Sequence, residues 1–409
     1  MNIEYIGHAC VKFVHNNFTL LTDPWFGFPF CLDAMNAYPP IKIPSRIELE
    51  KINALHISHI HPDHFCKESL NLFNKNISIY ISEYEDKKFL NSVKSLGFKN
   101  IYEIPPGFTG LEIGQFKVYS FHCSKNKFTF DSAILINCDE KSIFLNNDCI
   151  LSDQLIIEIS NNFKKIIGGF LGYCDIDVYP TCYDTSQIKN YNGPFSLQDQ
   201  INKMHTRRTE YFIFICNQLN LDWAVPYANG IRFFDDDIYI HNRYFPSPLV
   251  FQNQKIRTQI LSDLNYNDKI DMFGHIIYKS STTTPPLSSF KKNKLNNYIK
   301  FTDDYDEKIK SAMSLYILEH CHKWKFPMTI KFIIISSEKQ FDFTIYCDKK
   351  TVALSTLEPE LIVEYNFFDI KNMCDGNYNL TQLHYAYKFK ATILIVQSKQ
   401  ILIHRWPRL

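Results

Sequence analysis

His59, His61, Asp63 and His64 place four metal-binding side chains within six residues, with Ser58 ahead of them and Pro62 between, in the string SHIHPDH. Imidazole nitrogens and a carboxylate at this density suit zinc or iron. The preceding segment, Lys51 to Ile57 (KINALHI), reads as a short apolar strand, so the cluster falls where that strand ends and the chain turns. Loops at strand ends are where sites are built, and alternation in extended chain sends His59 and His61 the same way. Asp63 and His64 then start the next element and reach a neighbouring position. Four such side chains beyond a buried strand are costly without a partner, so the string predicts a cradle for two adjacent cations.

Two later apolar-alternating strands also end in ligand-type residues. Phe116 to His122 (FKVYSFH) ends in His122, and Ser142 to Asp148 (SIFLNND) ends in Asp148. At the N-terminus, Ile3 to Phe13 (IEYIGHACVKF) and Phe18 to Trp25 (FTLLTDPWF) read as antiparallel strands joined by a polar turn at His15, Asn16 and Asn17.

The set resembles the metallo-β-lactamase superfamily, whose HxHxDH signature His59, His61, Asp63 and His64 reproduce. The resemblance implies an α/β fold, an αββα sandwich. It implies that His122 completes a three-imidazole site with His59 and His61, and that Asp148 bridges both metals. The GHA and TDPW strings resemble one branch, which includes ascorbate-phosphate lactonase, N-acyl-phosphatidylethanolamine phospholipase D and CMP-N-acetylneuraminate hydroxylase types. In that branch Asp23 orders the metal-binding loop from behind the ligands and His8 lies near the mouth of the site. Such carboxylates fix histidine tautomers.

The chain departs from the pattern at the fifth motif. Trp223 to Phe234 (WAVPYANGIRFF) offers Tyr227, Ala228 and Asn229 after Pro226 where hydrolytic relatives place a histidine. The second metal is then left with Asp63, His64 and Asp148, unless His241, in the expected strand Ile238 to His241, swings in. Gly168 to Tyr183 and the VPYANG string resemble the CMP-N-acetylneuraminate hydroxylase type, although no cysteines and histidines here have the spacing of its Rieske cluster. The HCH triplet at His320 to His322 points its imidazoles apart around a helix and makes a poor site.

A chain of 409 residues exceeds one ordinary core. The expected organisation is a metallo-β-lactamase-fold domain over 1–280, a linker over 281–298 rich in Ser, Thr, Pro, Lys and Asn, and a small C-terminal α+β domain over 299–409. That last part bears a weak resemblance to sterol-carrier domains. With 44 basic and 43 acidic side chains the net charge is +1, which gives no electrostatic pull toward nucleic acid. Twelve scattered cysteines without framework spacing, no secretory signal pattern and no transmembrane run lead to the expectation of a cytoplasmic protein. The helix expected over Leu197 to Leu219 carries Arg207 and Arg208, which could meet an anionic substrate.

The cofactors expected are two divalent metal ions, zinc first, with iron or manganese as alternatives. Their chemistry points to a hydrolase that turns a metal-bound hydroxide on an ester, lactone or phosphodiester. Asp63 would orient the nucleophile, and Tyr227 or His8 would donate to the leaving group. An iron-dependent oxygenase on the same fold is the alternative, and a non-catalytic metal-binding scaffold the third reading. The partner expected is a small-molecule substrate; a homo-oligomer stays open.

Overall fold

A computed structural model describes residues 1–30, 33–123, 130–174, 183–184, 197–235, 239–251, 254, 256–281, 283–291, 305–321, 328–335, 340–347, 352–359, 361–366, 370, 373–374 and 389–393. Two sheets face one another. The first runs, from edge to edge, through Ile276–Tyr278, Asp268–Asp271, Asn2–Gly7, Cys10–His15, Phe18–Thr22, Ala54–Ile57, Ser78–Ser82 and Asn100–Ile104. The second runs through Gln259–Ile260, Trp223–Tyr227, Ile166–Gly172, Lys141–Asn147, Ser132–Cys138, Phe116–His122 and Leu111–Ile113.

Strand alternation builds the layers. Leu20, Ala54, Ile134, Ile136, Ile143 and Leu145 point between the sheets, into one core with Phe116, Val118 and Val225. Their neighbours Leu21 and Leu55 point the other way, onto Leu49, Leu70, Phe89 and Val93 of the helices Arg46–Glu50, Lys67–Leu70 and Lys88–Ser95. Leu135 and Phe144 likewise leave the second sheet's outer face to meet Ile156, Ile159, Phe212 and Ile215 of the helices Asp153–Asn162 and Leu197–Gln218. A period of two along each strand thus produces helix, sheet, sheet, helix, the αββα sandwich expected from the sequence.

The strands that carry the chemistry are parallel. Phe18–Thr22 pairs in parallel with Ala54–Ile57, and Lys141–Asn147 with Ile166–Gly172. Asp23, Ser58 and Asp148 therefore all follow the carboxyl ends of parallel strands, where an open α/β sheet leaves a crevice.

A third sheet follows the order Tyr183–Asp184, Phe389–Ile393, Leu361–Asn366, Met328–Ile335, Gln340–Cys347, Val352–Leu354, with the helix Tyr305–Cys321 packed on it. Its first strand comes from the middle of the chain and pairs in parallel with Phe389–Ile393. Of the expected linker, 283–291 lies against the sandwich: Phe290 stacks on Phe234, and Tyr38 donates its hydroxyl hydrogen bond to the Pro285 carbonyl at 3.0 Å. The strand expected at Ile238 to His241 is instead a 3-10 turn over Tyr239–Tyr244. The Asn242 side chain accepts from Phe233 N–H at 2.8 Å and donates to Phe233 O at 2.7 Å, which curls the chain back. No helix among the described residues is long and apolar enough to cross a membrane.

Candidate metal centre

Asp23 organises the loop after the motif strand. Its backbone takes φ +39°, a conformation that Asp tolerates better than most residues, and its N–H donates to His56 O at 2.8 Å. Fully buried, its carboxylate accepts from Ser58 N–H at 2.7 Å and from the Ser58 hydroxyl at 2.8 Å, and lies 2.9 Å from His64 Nδ1. With its proton committed to Asp23, Ser58 Oγ accepts at 2.9 Å from Nδ1–H of His59. One carboxylate and one hydroxyl thus turn Nε2 of both His59 and His64 inward.

What those nitrogens face is a continuous row of donors. His59, His61 and Asp131 form one cluster, His59, His64 and Asp148 the next, and His64, Asp63 and His8 the third, each with donor atoms within 4.8 Å of one another. His59 Nε2 stands 3.4 Å from Asp131 Oδ1 and 3.6 Å from Asp148 Oδ2, while His64 Nε2 stands 3.6 Å from both Asp63 Oδ2 and Asp148 Oδ2. Atoms sharing a tetrahedral cation at about 2.0–2.2 Å lie about 3.3–3.6 Å apart. Buried His64 Nε2 has no hydrogen-bond partner among the described residues, so the donor set fits a cation at Asp148 better than an ordinary polar network. The Asp148 side chain is 34% exposed against 0% for His59 and His64, which marks the open side of the row.

The charges divide along it. Burial alone would depress His64, but Asp63, Asp23 and Asp148 together raise it to about 10. Burial and the neighbouring His64 lower His59 to about 4, the two ring centroids lying 4.1 Å apart. Asp63 and Asp23 are buried, which opposes ionisation, yet His64 holds both below the usual carboxylate range.

His8 carries the opposite tautomer. Gly230 N–H donates to His8 Nδ1 at 3.0 Å, so neutral His8 bears its proton on Nε2 and donates it to Asp63 Oδ2 at 3.0 Å. His8 is 1% exposed, and that proton holds Asp63 in place; the expected donation to a leaving group finds no free N–H here. The fifth-motif stretch does its work on His8: Ala228 N–H donates to His8 O at 3.1 Å, next to the Gly230 contact. Asn229 turns away, donating to Tyr173 OH at 2.7 Å and Pro246 O at 3.0 Å.

Four expectations need correction. Tyr227 does not face the crevice as an acid: fully buried, it accepts from Asn147 N–H at 3.0 Å and donates to Asn147 Oδ1 at 2.5 Å, bracing the strand end before Asp148. His122 joins none of the clusters among the described residues; its ring stacks on Tyr84 with centroids 4.0 Å apart. His241, in the 3-10 turn, packs beside Tyr244 and Phe233 and is in none of the clusters either. Arg207 and Arg208 do not form a joint anion clamp, because consecutive helical positions diverge: Arg207 is exposed beside Asp199 and Lys203, while Arg208 is buried.

Sequence reasoning missed Asp131 and His56. Asp131 reaches the row because Phe130, at φ +53°, turns the chain just before the strand Ser132–Cys138. The only signal was an acid at a strand start. His56 is fully buried beneath the motif with neither ring nitrogen hydrogen-bonded among the described residues, and burial lowers it to about 4.

Residues 2–149, which hold every member of the row, match the beta-lactamase superfamily domain. A protein of Mycolicibacterium smegmatis named as a Rieske 2Fe-2S iron-sulfur protein is 23% identical over 267 residues, 62% of this chain and 50% of its own length. Among solved structures, CmlA, a diiron beta-hydroxylase from Streptomyces venezuelae, superposes with a TM-score of 0.40 at 21% identity, over 56% of this chain and 45% of that one. An isothiocyanate hydrolase from Delia radicum gut bacteria superposes with a TM-score of 0.42 at 14% identity, over 66% and 99%. The chain spans about half the length of the curated relatives it matches first. The segment of this chain from residue 2 to residue 149 belongs to the beta-lactamase superfamily.

Proposed function

We propose that the protein is a metal-dependent hydrolase acting on an ester, lactone or phosphodiester. The observation that carries this reading is Asp148 Oδ2, placed 3.6 Å from Nε2 of both His59 and His64 on the open side of a buried donor row. His59, His61 and Asp148 would hold one divalent cation, and His64, Asp63 and Asp148 the other. Bound there, the cations supply Lewis acidity for a carbonyl or phosphoryl oxygen and make water nucleophilic near neutral pH.

The chain's own residues keep the row in shape. Asp23 and Ser58 hold two imidazoles with Nε2 inward, so no ring reorientation is needed when substrate arrives. His8 Nε2–H pins one oxygen of Asp63 and Trp25 packs edge-on against His8 at 5.1 Å, closing the rear of the site to water. Substrate then enters on the Asp148 side. An oxidative reading at iron is second; the carboxylate of Asp131 within the His59 cluster favours it, as does a relative named for a Rieske cluster.

The test uses the full chain stripped with chelator and reloaded with two equivalents of Zn2+ or, under argon, Fe2+. The probes are p-nitrophenyl acetate, bis(p-nitrophenyl) phosphate and a γ-lactone. Zinc should restore hydrolysis of one probe class, and Asp148→Ala should lower it by about a hundredfold. Oxygen uptake by the iron form with no hydrolysis by the zinc form would overturn the hydrolytic reading.

A further inference from the structure

We propose that Asp131 joins His59 and His61 as a ligand of the cation at the His59 end, beside Asp148 between the two sites, with His122 outside its coordination. The inference rests on reading the donor row as a metal centre and goes beyond it by assigning a ligand and, through it, a metal preference.

Geometry carries the assignment. Asp131 Oδ1 lies 3.4 Å from His59 Nε2, the separation of two atoms that share a cation, while His61 Nδ1 lies 2.8 Å from that nitrogen, at hydrogen-bond distance. All three donors fall within 4.8 Å of one another. Asp131 is only 9% exposed, so its carboxylate sits in the wall of the site and not in solvent. Its main chain is clamped there from both flanking segments. Cys123 N–H donates to Asp131 O at 3.0 Å, and the Cys149 thiol, one residue beyond Asp148, reaches the same carbonyl at 3.8 Å. Asp131 and Asp148 are thereby tied to each other through Cys149.

His122 is placed differently. It stands opposite Ser132 in the antiparallel pair Phe116–His122 and Ser132–Cys138, and its ring lies nearly flat on Tyr84, at 13°. Tyr84 in turn packs edge-on against Phe130, the residue whose turn delivers Asp131. The aromatic stack that holds the imidazole back thus abuts the turn that brings the carboxylate forward.

The exchange has a chemical consequence. A carboxylate in place of an imidazole leaves the loaded pair with one unit less positive charge and adds a hard oxygen donor. Two histidines and one carboxylate also serve zinc, but exchanging an imidazole for a carboxylate raises affinity for Fe2+ and Mn2+ relative to that for Zn2+. The His59 end is therefore shifted toward these harder cations relative to a face of three imidazoles.

Metal content, read independently of any activity, tests this. The full chain and the variants Asp131→Asn, Asp131→His, His122→Ala and His59→Ala are stripped, titrated separately with Fe2+ and Mn2+ under argon and with Zn2+, and read by elemental analysis after dialysis. Circular dichroism checks the fold of each. Asp131→Asn should weaken one equivalent of Fe2+ or Mn2+ by about tenfold or more, and His122→Ala should leave it within about twofold. Asp131→His, which keeps a donor at the position if Asp131→Asn fails to fold, should shift the preference of that equivalent toward Zn2+. Loss of one equivalent in His122→Ala with full retention in Asp131→Asn would overturn the assignment. Retention of both equivalents in His59→Ala would instead overturn the metal-centre reading beneath it.

Discussion

The two ends of the donor row are held by opposite means. At the His64 end, position is enforced from behind by buried charge: Asp23 anchors His64, and the proton of His8 anchors Asp63. At the His59 end the ring is anchored through a neutral hydroxyl, that of Ser58, and the partnering carboxylate arrives on a turn at Phe130, held by its main chain. The protonation states follow, with His64 raised to about 10 and His59 lowered to about 4. The lesson is that one end is rigid and costly to disturb, while the other can change its ligand with little cost to the fold.

The largest expected effect breaks that contrast at its rigid end. Asp23→Ala strands Ser58 N–H, the Ser58 hydroxyl and His64 Nδ1 in a fully buried position. Removing one partner of such a network costs about 3–5 kcal/mol. Urea denaturation should show it, and Asp131→Asn in the same assay should cost less than about 1 kcal/mol. Equal losses in the two variants would mean that the ends are equally committed.

Gly230→Ala probes the His8 anchor with a smaller perturbation. A Cβ there would lie 2.1 Å from Tyr266 Oη and 3.1 Å from His8 Cβ, both too close, so the turn must shift and carry its N–H away from His8 Nδ1. Overpacking of this kind costs about 1–3 kcal/mol. Zinc titration should show weaker binding of the equivalent at the Asp63 end and unchanged binding at the other. An unchanged protein in both measurements would remove His8 from the support of Asp63.

What could be read from the sequence follows the same division. His59, His61, Asp63 and His64 lie within six residues, so local spacing was enough to group them, and Asp148 was marked by the end of its own strand. Asp23 was legible through the TDPW string. The rest depends on long-range contacts that no local pattern encodes. Tyr227 is spent on Asn147, 80 positions away, and the tautomer of His8 is set by Gly230, 222 positions away. His122 ends its strand as a ligand would, but its ring lies flat on that of Tyr84 and it joins no donor cluster among the described residues. Asp131 escaped because the turn at Phe130 breaks the alternation that would have predicted its direction.

The smallest effect appears only in acid and sharpens the role of charge beneath the rigid end. His56 lies under the motif, its imidazole fully buried and lowered from 6.5 to about 4, with burial the main cause and Asp23 opposing it in part. A folded-state value below the unfolded one means that the unfolded chain takes up the proton first. Stability is therefore unaffected at pH 7 and is lost as pH falls from about 6.5 toward about 4, by roughly 2 kcal/mol at pH 5. His56→Leu keeps a similar volume and cannot titrate, so its urea midpoint should decline less between pH 7 and pH 5 than that of the unaltered chain. Parallel decline in the two proteins would show that acid acts elsewhere, through Asp23 and Asp63. Those carboxylates sit below their unfolded values, so their contribution is full above about pH 4 and fades only at lower pH, which separates the two sources by the pH at which the loss begins.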